Sequence, residues 1–396
     1  MSERAPRGSI TSTPRPRDRK QQIVKSAGDL FYRHGYHNVG TEQIARSVGI
    51  TAGALYRHFR GKQELLGSAL TDAFEQATAF VQETSPTTLE HMVEGLADTA
   101  GTRRYLGVLW NREARHLDDE PRAFMRQRFF GFLAEFREHL ARSRPDLSPV
   151  DADLLSWCSL GVLTSPSYHR TEMDQDALIE LLKRLTFAVC TAPLPVPGVA
   201  PTDNGRGAAG LVPHGRRELI LAAATKLFHD RGYQAVTMGD VGVAVGMTSA
   251  GVYKHFDSKA DLLSAVIARA SEPLQLGLTR ALASASTPAE GLLNVLDAYI
   301  DFASVHHDLV GILIAEITNL PDTHRHDVRR AQHDYVAEWI KLVCDARSDL
   351  DARTARFVVQ AVMTVVNDVV RTTHLRDRPQ VGAELRLIGR RVLAAA

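Results

Sequence analysis

Tyr56, Arg57, His58 and Lys62 stand in the stretch "ITAGALYRHFRGKQELL", residues 50–66. Tyr253, Lys254, His255 and Lys259 stand in "MTSAGVYKHFDSKADLL", residues 247–263. A phenol, an imidazole, a guanidinium and an ammonium are all donors suited to phosphate oxygens. At helical spacing Leu55 and Phe59 point into a core, as do Val252 and Phe256, and this turns Tyr56, Arg57, His58 and their counterparts outward. Lys62 and Lys259 open the next helix, where free backbone N–H groups also favour a phosphate.

The two stretches belong to a longer internal repeat. Residues 23–66 align with 220–263 at an offset of 197 without a gap, and about 16 of these 44 positions are identical. A weaker echo continues at an offset of 203, with Glu113, Leu117, Asp119 and Arg122 matching Glu316, Leu320, Asp322 and Arg325. Phe132 and Phe136 match Tyr335 and Trp339, and "RPDLS" matches "RSDLD". Repeats at a fixed offset decide architecture before any local reading does. Between the copies lies "APLPVPGVAPTDNGRGAAGLVPH", whose proline and glycine content predicts an extended linker.

Each copy reads as helices. Ile23, Ala27, Leu30 and Phe31 make one apolar helical face, as do Ile220, Ala224, Leu227 and Phe228. Gly35 and Gly232 stand where a helix-ending glycine belongs. Thr237 followed by Asp240 predicts an N-terminal cap, with Gly40 at the matching place. A short helix then runs to Gly49 or Gly246, and Thr51 or Thr248 caps the helix that carries the outward cassette.

Two short helices joined by a tight glycine turn describe a helix-turn-helix, whose second helix enters the DNA major groove. The stretches "LFYRHGYHNVGTEQIARSVGITAGALYRHFRGKQELL" and "LFHDRGYQAVTMGDVGVAVGMTSAGVYKHFDSKADLL" resemble the N-terminal unit of the tetracycline-repressor (TetR) family of bacterial transcription regulators. The resemblance covers about fifty residues of each copy. It implies that Thr41, Thr51, Ala52, Gly53, Ala54, Tyr56, Arg57, His58 and Lys62 face DNA. In the second copy it implies Thr237, Thr248, Ser249, Ala250, Gly251, Tyr253, Lys254, His255 and Lys259. The small residues among these suit a thymine methyl or close backbone approach, not bidentate base reading, so the operator is not legible. Two departures stand out. The family carries one such unit per chain, and "Asp240-Val241-Gly242" replaces the usual apolar-alanine pair. A mid-helix glycine costs about 0.5–1 kcal/mol against alanine, so a less firmly held positioning helix is expected in the second copy.

Charge separates the copies further. Residues 15–66 hold ten Lys/Arg and four Asp/Glu, a net of about +6, whereas 212–263 hold six and five, about +1. The first unit is therefore expected to supply most of the salt-dependent affinity. The whole chain of 396 residues carries a formal charge of +1, which excludes a uniformly basic coat. Its three cysteines form no close pair and fit reduced thiols; the start has no apolar signal core, and no run of about eighteen apolar residues occurs, so a cytoplasmic protein without a membrane span is expected. His306, His307, His324, His326 and His333 are numerous but lack a supporting cysteine, and read as solvated or satisfied. No phosphate-binding glycine loop, Ser-His-Asp set or paired-carboxylate motif emerges. No enzyme activity, cofactor or metal is expected.

The expected architecture is all-α, with two TetR-like units in one chain. These are a basic tail (1–16), a first helix-turn-helix domain (17–77, motif 40–59), a first helical C-terminal domain (78–191) and a linker (192–213). A second helix-turn-helix domain (214–274, motif 237–256) and a second helical domain (275–396) follow. By the resemblance, "DLLSWCSLGVLTSPSY" (153–168) and "ARFVVQAVMTVVNDVVRTTHL" (355–375) belong to a four-helix interface. The two halves are then expected to fold as an intramolecular pseudo-dimer, residues 153–190 against 352–396, with a homodimer left open. Trp110, Phe129, Phe132, Leu313, Tyr335 and Trp339 are core or pocket residues. Implied partners are a double-stranded DNA operator and an unidentified small-molecule effector, with repression the preferred mode. The alternative is a ligand-binding or interaction protein in which only the first unit binds DNA and the second is a built-in dimerisation partner.

Overall fold

The computed structural model describes residues 16–83, 88–195 and 215–396, so the basic tail, but for its last residue, and the linker beyond residue 195 lie outside the described residues. Among the described residues there is no strand, and no single helix is long and apolar enough to cross a membrane. The chain divides into two compact units, Met1–Gln76 with Val108–Phe129, and Ala77–Gly107 with Phe130–Ala396.

The first half runs α1 (Pro16–His34), α2 (Thr41–Ser47), α3 (Ala52–Tyr56), α4 (Lys62–Glu83), α5 (Leu89–Thr102) and the short α6 (Leu106–Val108). Irregular helical turns at Leu109–Glu113 and Ala114–His116 lead to α7 (Asp119–Ser143), α8 (Pro149–Thr164) and α9 (Gln175–Cys190). The second half repeats the order. It runs α10 (Arg216–Arg231), α11 (Met238–Ala244), α12 (Ser249–Tyr253), α13 (Lys259–Ala283), α14 (Pro288–Val305), α15 (His307–Ala315), α16 (Asp322–Ala346), α17 (Ala352–Arg371), α18 (Thr373–Arg376) and α19 (Val381–Ala394).

Within the larger unit α8 packs on α17 and α9 on α19. The apolar run of α17 explains this, because Val358, Val362, Val365 and Val369 are all essentially inaccessible, as are Cys158 and Val162 of α8. A methyl added at Gly161 would lie 3.0 Å from the Val365 Cα, so the missing side chain sets how closely the two helices cross. The expected packing of 153–190 against 352–396 is thus what the chain forms.

Polar groups seal one end of this bundle. Arg378 donates to both Glu384 oxygens at 2.6 and 2.9 Å, to Asp151 at 2.5 Å and to the Val150 carbonyl at 2.8 Å. His374 lies 2.9 Å from Asp153 and edge-on to Trp157. The related place on the other half is built differently. There the His169 ring stands edge-on to Phe357 at 4.4 Å, and Arg104 donates to the carbonyls of Pro166, His169 and Thr171. The "RPDLS" and "RSDLD" echo is structural: Arg144 grips Asp146 and the Cys190 carbonyl, and Arg347 grips Asp349 and the Ala394 carbonyl.

Phe129, Phe132, Tyr335 and Trp339 are buried, while Trp110 is half-buried and stacks on Phe129 at 4.6 Å. Leu313 is also half-buried. Pro321 precedes α16, and no cluster of His, Cys, Asp or Glu among the described residues could hold a metal.

Candidate nucleic-acid interface

In each head the turn between the two short helices rests on a glycine in the left-handed region, Gly49 at φ 68° and Gly246 at φ 67°. The following helix is capped as the sequence predicts. The Thr51 hydroxyl oxygen accepts the Ala54 N–H, and that of Thr248 accepts the Gly251 N–H, both at 3.2 Å. Accepting leaves each hydroxyl proton free to donate outward. Leu55, Phe59, Val252 and Phe256 are buried, and cations cover the two phenylalanines, Lys20 over Phe59 and Arg217 over Phe256. Tyr56 and Tyr253 are 53% and 50% exposed, so large rings stand in water beside Arg57 and Lys254. Gly53, Thr51, Thr248, Ser249 and Ala250 are exposed; Ala52, Ala54, Gly251, His58 and His255 are half-buried. The cassette residues therefore share one outward surface in each head.

The local geometry adds detail at four of the positions named above. Thr237 is not a free donor, because its hydroxyl donates to Asp240 Oδ2 at 2.6 Å while accepting the Asp240 N–H at 3.1 Å. It closes a capping box. Lys259 is half-buried, and its ammonium donates to the carbonyls of Tyr233 and Val236, both at 2.9 Å, over the Tyr233 ring. Lys62 lies over the Tyr36 ring in the same manner, 4.2 Å from its centroid. Both lysines secure the turn after the first helix of their head. Gly242, finally, is not a weak point. A methyl there would fall 2.7 Å from the Met247 carbonyl, so its absence lets the turn close directly onto α11.

The heads differ where α2 or α11 begins. The Thr41 hydroxyl lies 3.0 Å from the Tyr56 hydroxyl, joining the start of α2 to the end of α3. Met238 holds that place in the second head and is buried, so it has no hydroxyl to offer Tyr253. Asp240 adds a negative charge there. Its bonds to Thr237, with Arg231 nearby, hold its carboxyl below the usual range.

Behind each head lies a joint that the sequence reading did not assign. Glu113, 2% exposed, accepts the Tyr36 backbone N–H at 2.9 Å and is held by Arg112, which also reaches the Tyr32 carbonyl. His37 Nε2 lies 3.2 Å from His116 Nδ1, and Gln63 donates to the His116 carbonyl at 2.7 Å. In the second half Glu316 is equally buried, and Gln234 donates to Asn319 at 2.8 Å in place of the histidine pair. The echo of Glu113 and Leu117 in Glu316 and Leu320 was the available signal.

This substitution makes the first joint sensitive to acid. Burial drives the His116 pKa down to about 4; Arg115, His37 and Lys62 push the same way, and Glu113 opposes them. The unfolded chain, with an imidazole near 6.5, takes up that proton first. Stability from a neutral His116 is therefore complete above about pH 6.5 and falls as the pH drops towards 4. His116→Asn, which copies the second half, is expected to flatten that loss. Melting temperatures of parent and variant between pH 7.5 and 4.5 check it; parallel curves would remove His116 as the source.

The geometry defines a protein with two helix-turn-helix heads on helical supports. The sequence model described as bacterial regulatory proteins, tetR family, matches twice, at residues 23–69 and 220–266, and that described as tetracyclin repressor-like, C-terminal domain, matches 285–371. The chain is 27% identical over 180 residues to the HTH-type transcriptional activator FasR of Mycolicibacterium smegmatis, covering 41% of this chain and 74% of that protein. It is 27% identical over 138 residues to the HTH-type transcriptional repressor KstR2 of the same species, covering 35% and 67%. A TetR-family regulator from Bordetella parapertussis aligns in structure with a TM-score of 0.41 and 17% identity, over 46% of this chain and 93% of that one. The chain belongs to the TetR family of helix-turn-helix transcription regulators.

Proposed function

We propose that this chain is a ligand-responsive repressor that carries both of its DNA-reading heads in one polypeptide. The observation that supports it best is the pair of outward cassettes, Thr51 to Arg57 and Thr248 to Lys254, mounted on matching capped helices. The first head spans residues 17–77 and the second 214–274, each followed by its own helical effector region, 78–191 and 275–396. DNA-facing roles go to Thr41, Thr51, Ala52, Gly53, Ala54, Tyr56, Arg57 and His58, and to Thr248, Ser249, Ala250, Gly251, Tyr253, Lys254 and His255. The two relatives named above carry opposite signs, activator and repressor. Repression is the simpler mode, since it requires only that the heads occupy the DNA. An effector releases DNA only as far as it binds the DNA-incompetent state more tightly. The pseudo-dimer acts as a single-chain particle of about 44 kDa, without a catalytic role.

A second reading is favoured by Met238 and Asp240: the second head serves as a built-in partner and only the first grips DNA. Footprinting on duplexes selected from random sequence separates the two. Two protected half-sites of unlike sequence support the first reading, one protected half-site supports the second, and no selected duplex overturns both.

A further inference from the structure

The buried glutamates Glu113 and Glu316 recur at equivalent places in the two halves, yet neither touches the outward cassette. Glu113 comes from the segment before α7 and enters the turn that follows the first helix of its head, and Glu316 holds the equivalent place before α16. That turn leaves backbone N–H groups without helical partners. In the first half Glu113 accepts one of them, from Tyr36. Gly35, at φ 82°, leaves room for its other oxygen, which lies 3.9 Å from where a side chain would begin. In the second half Glu316 accepts from Asn319 at 2.6 Å and acts electrostatically on Tyr233 and Lys259. The lysines engage the same turn, Lys62 over Tyr36 and Lys259 over Tyr233. A buried carboxylate is costly unless compensated, and the glutamate and the lysine both bear on the residues of this turn. The flanking bridge, His37 to His116 or Gln234 to Asn319, spans the same two segments.

We infer that Glu113 and Glu316 are positioning residues that fix each reading head on the helical segment of its own half. Their effect on DNA runs through the turn and the lysine, not through contact. The inference rests on the DNA-binding reading above. A head held loosely still reads its own half-site, but it loses the gain from simultaneous engagement, which depends on geometry.

The experiment uses the full chain and the variants Glu113→Met and Glu316→Met, with the Gln forms as conservative partners that keep size and one acceptor oxygen. Amide hydrogen exchange is read at residues 35–39 and 232–236, and affinity is measured for a selected duplex and for each of its halves. Each Met variant is expected to speed exchange in its own turn by about tenfold or more, with the Gln forms between it and the parent. Affinity for the full duplex should fall by about tenfold while half-site affinity changes by less than about twofold. Parent-like exchange in the Met variants would overturn the inference. So would equal losses on full and half sites that follow the folded fraction, since that is the mark of a merely structural role. Should the parent select no duplex, the DNA-binding reading falls, and exchange at the two turns still decides whether the glutamates hold them.

Discussion

Replacing Arg378 by methionine is expected to lower the stability of the larger compact unit by about 3–5 kcal/mol, because it strands the buried Glu384 carboxylate and takes the same partner from the half-buried Asp151. Arg378 is 10% exposed at its side chain and Glu384 7%, and together with Asp151 they form one connected set. Burial works against the Arg378 charge, but Glu384 and Asp151 outweigh it and hold the guanidinium above its ordinary pKa. Neutralising all three, as Asp151→Asn, Arg378→Met and Glu384→Gln together, should recover most of the loss, since the penalty comes from the unpaired charges. Denaturant midpoints of the parent, the single variant and the triple variant measure this. A single variant indistinguishable from the parent would show that the seal contributes nothing net.

The same seal bears on which halves pair. If two second halves met through this face, His374 would approach Arg356 of α17, the counterpart of Asp153, and Arg378 would meet Arg353 and Thr354, the counterparts of Val150 and Asp151. Like charges at such a contact oppose pairing. The parent should therefore scatter light as a particle of 43.6 kDa, not its double.

Damage to the first head is expected to exceed equal damage to the second. Tyr56→Phe with Arg57→Ala removes a hydroxyl and a cation from the head whose window carries about +6, and should weaken DNA binding by about 10–100-fold. Tyr253→Phe with Lys254→Ala acts on a window of about +1, beside the ionised Asp240, and should cost less than about threefold. Each lost phosphate contact also lowers the slope of log affinity against log salt by about 0.9. Affinity measured across a salt series for both pairs decides it. A larger loss or steeper slope change from the second pair would make formal charge the wrong guide.

The all-helical architecture was legible in the sequence because apolar spacing and helix punctuation agreed in both copies. Leu55 with Phe59 and Val252 with Phe256 are buried as their spacing requires, and Gly49 and Gly246 turn the chain as their place requires. The packing of α8 on α17 followed from two long apolar stretches that had to cover each other. What escaped was direction. A lysine at a helix start reads as a phosphate ligand, and only the fold shows that Lys259 also donates to two carbonyls. Gly242 read as a helix breaker because its neighbour, the Met247 carbonyl, is set by tertiary approach. Glu113 and Glu316 were visible as a repeated pair, but their burial is set by the fold, where Glu113 meets the Tyr36 N–H 77 residues away.

The unlike ends of the bundle also carry a consequence for how such a protein changes over generations. In a symmetric homodimer one altered codon appears on both faces of the contact at once. An acid facing a base then requires both to fit in every copy. Here Asp151 and Arg378 are encoded once each and meet once. A change at one seam, such as the His169 and Phe357 contact, leaves the Arg378 seam untouched. One gene can thus try substitutions singly at a junction where a dimer would have to accept them in duplicate.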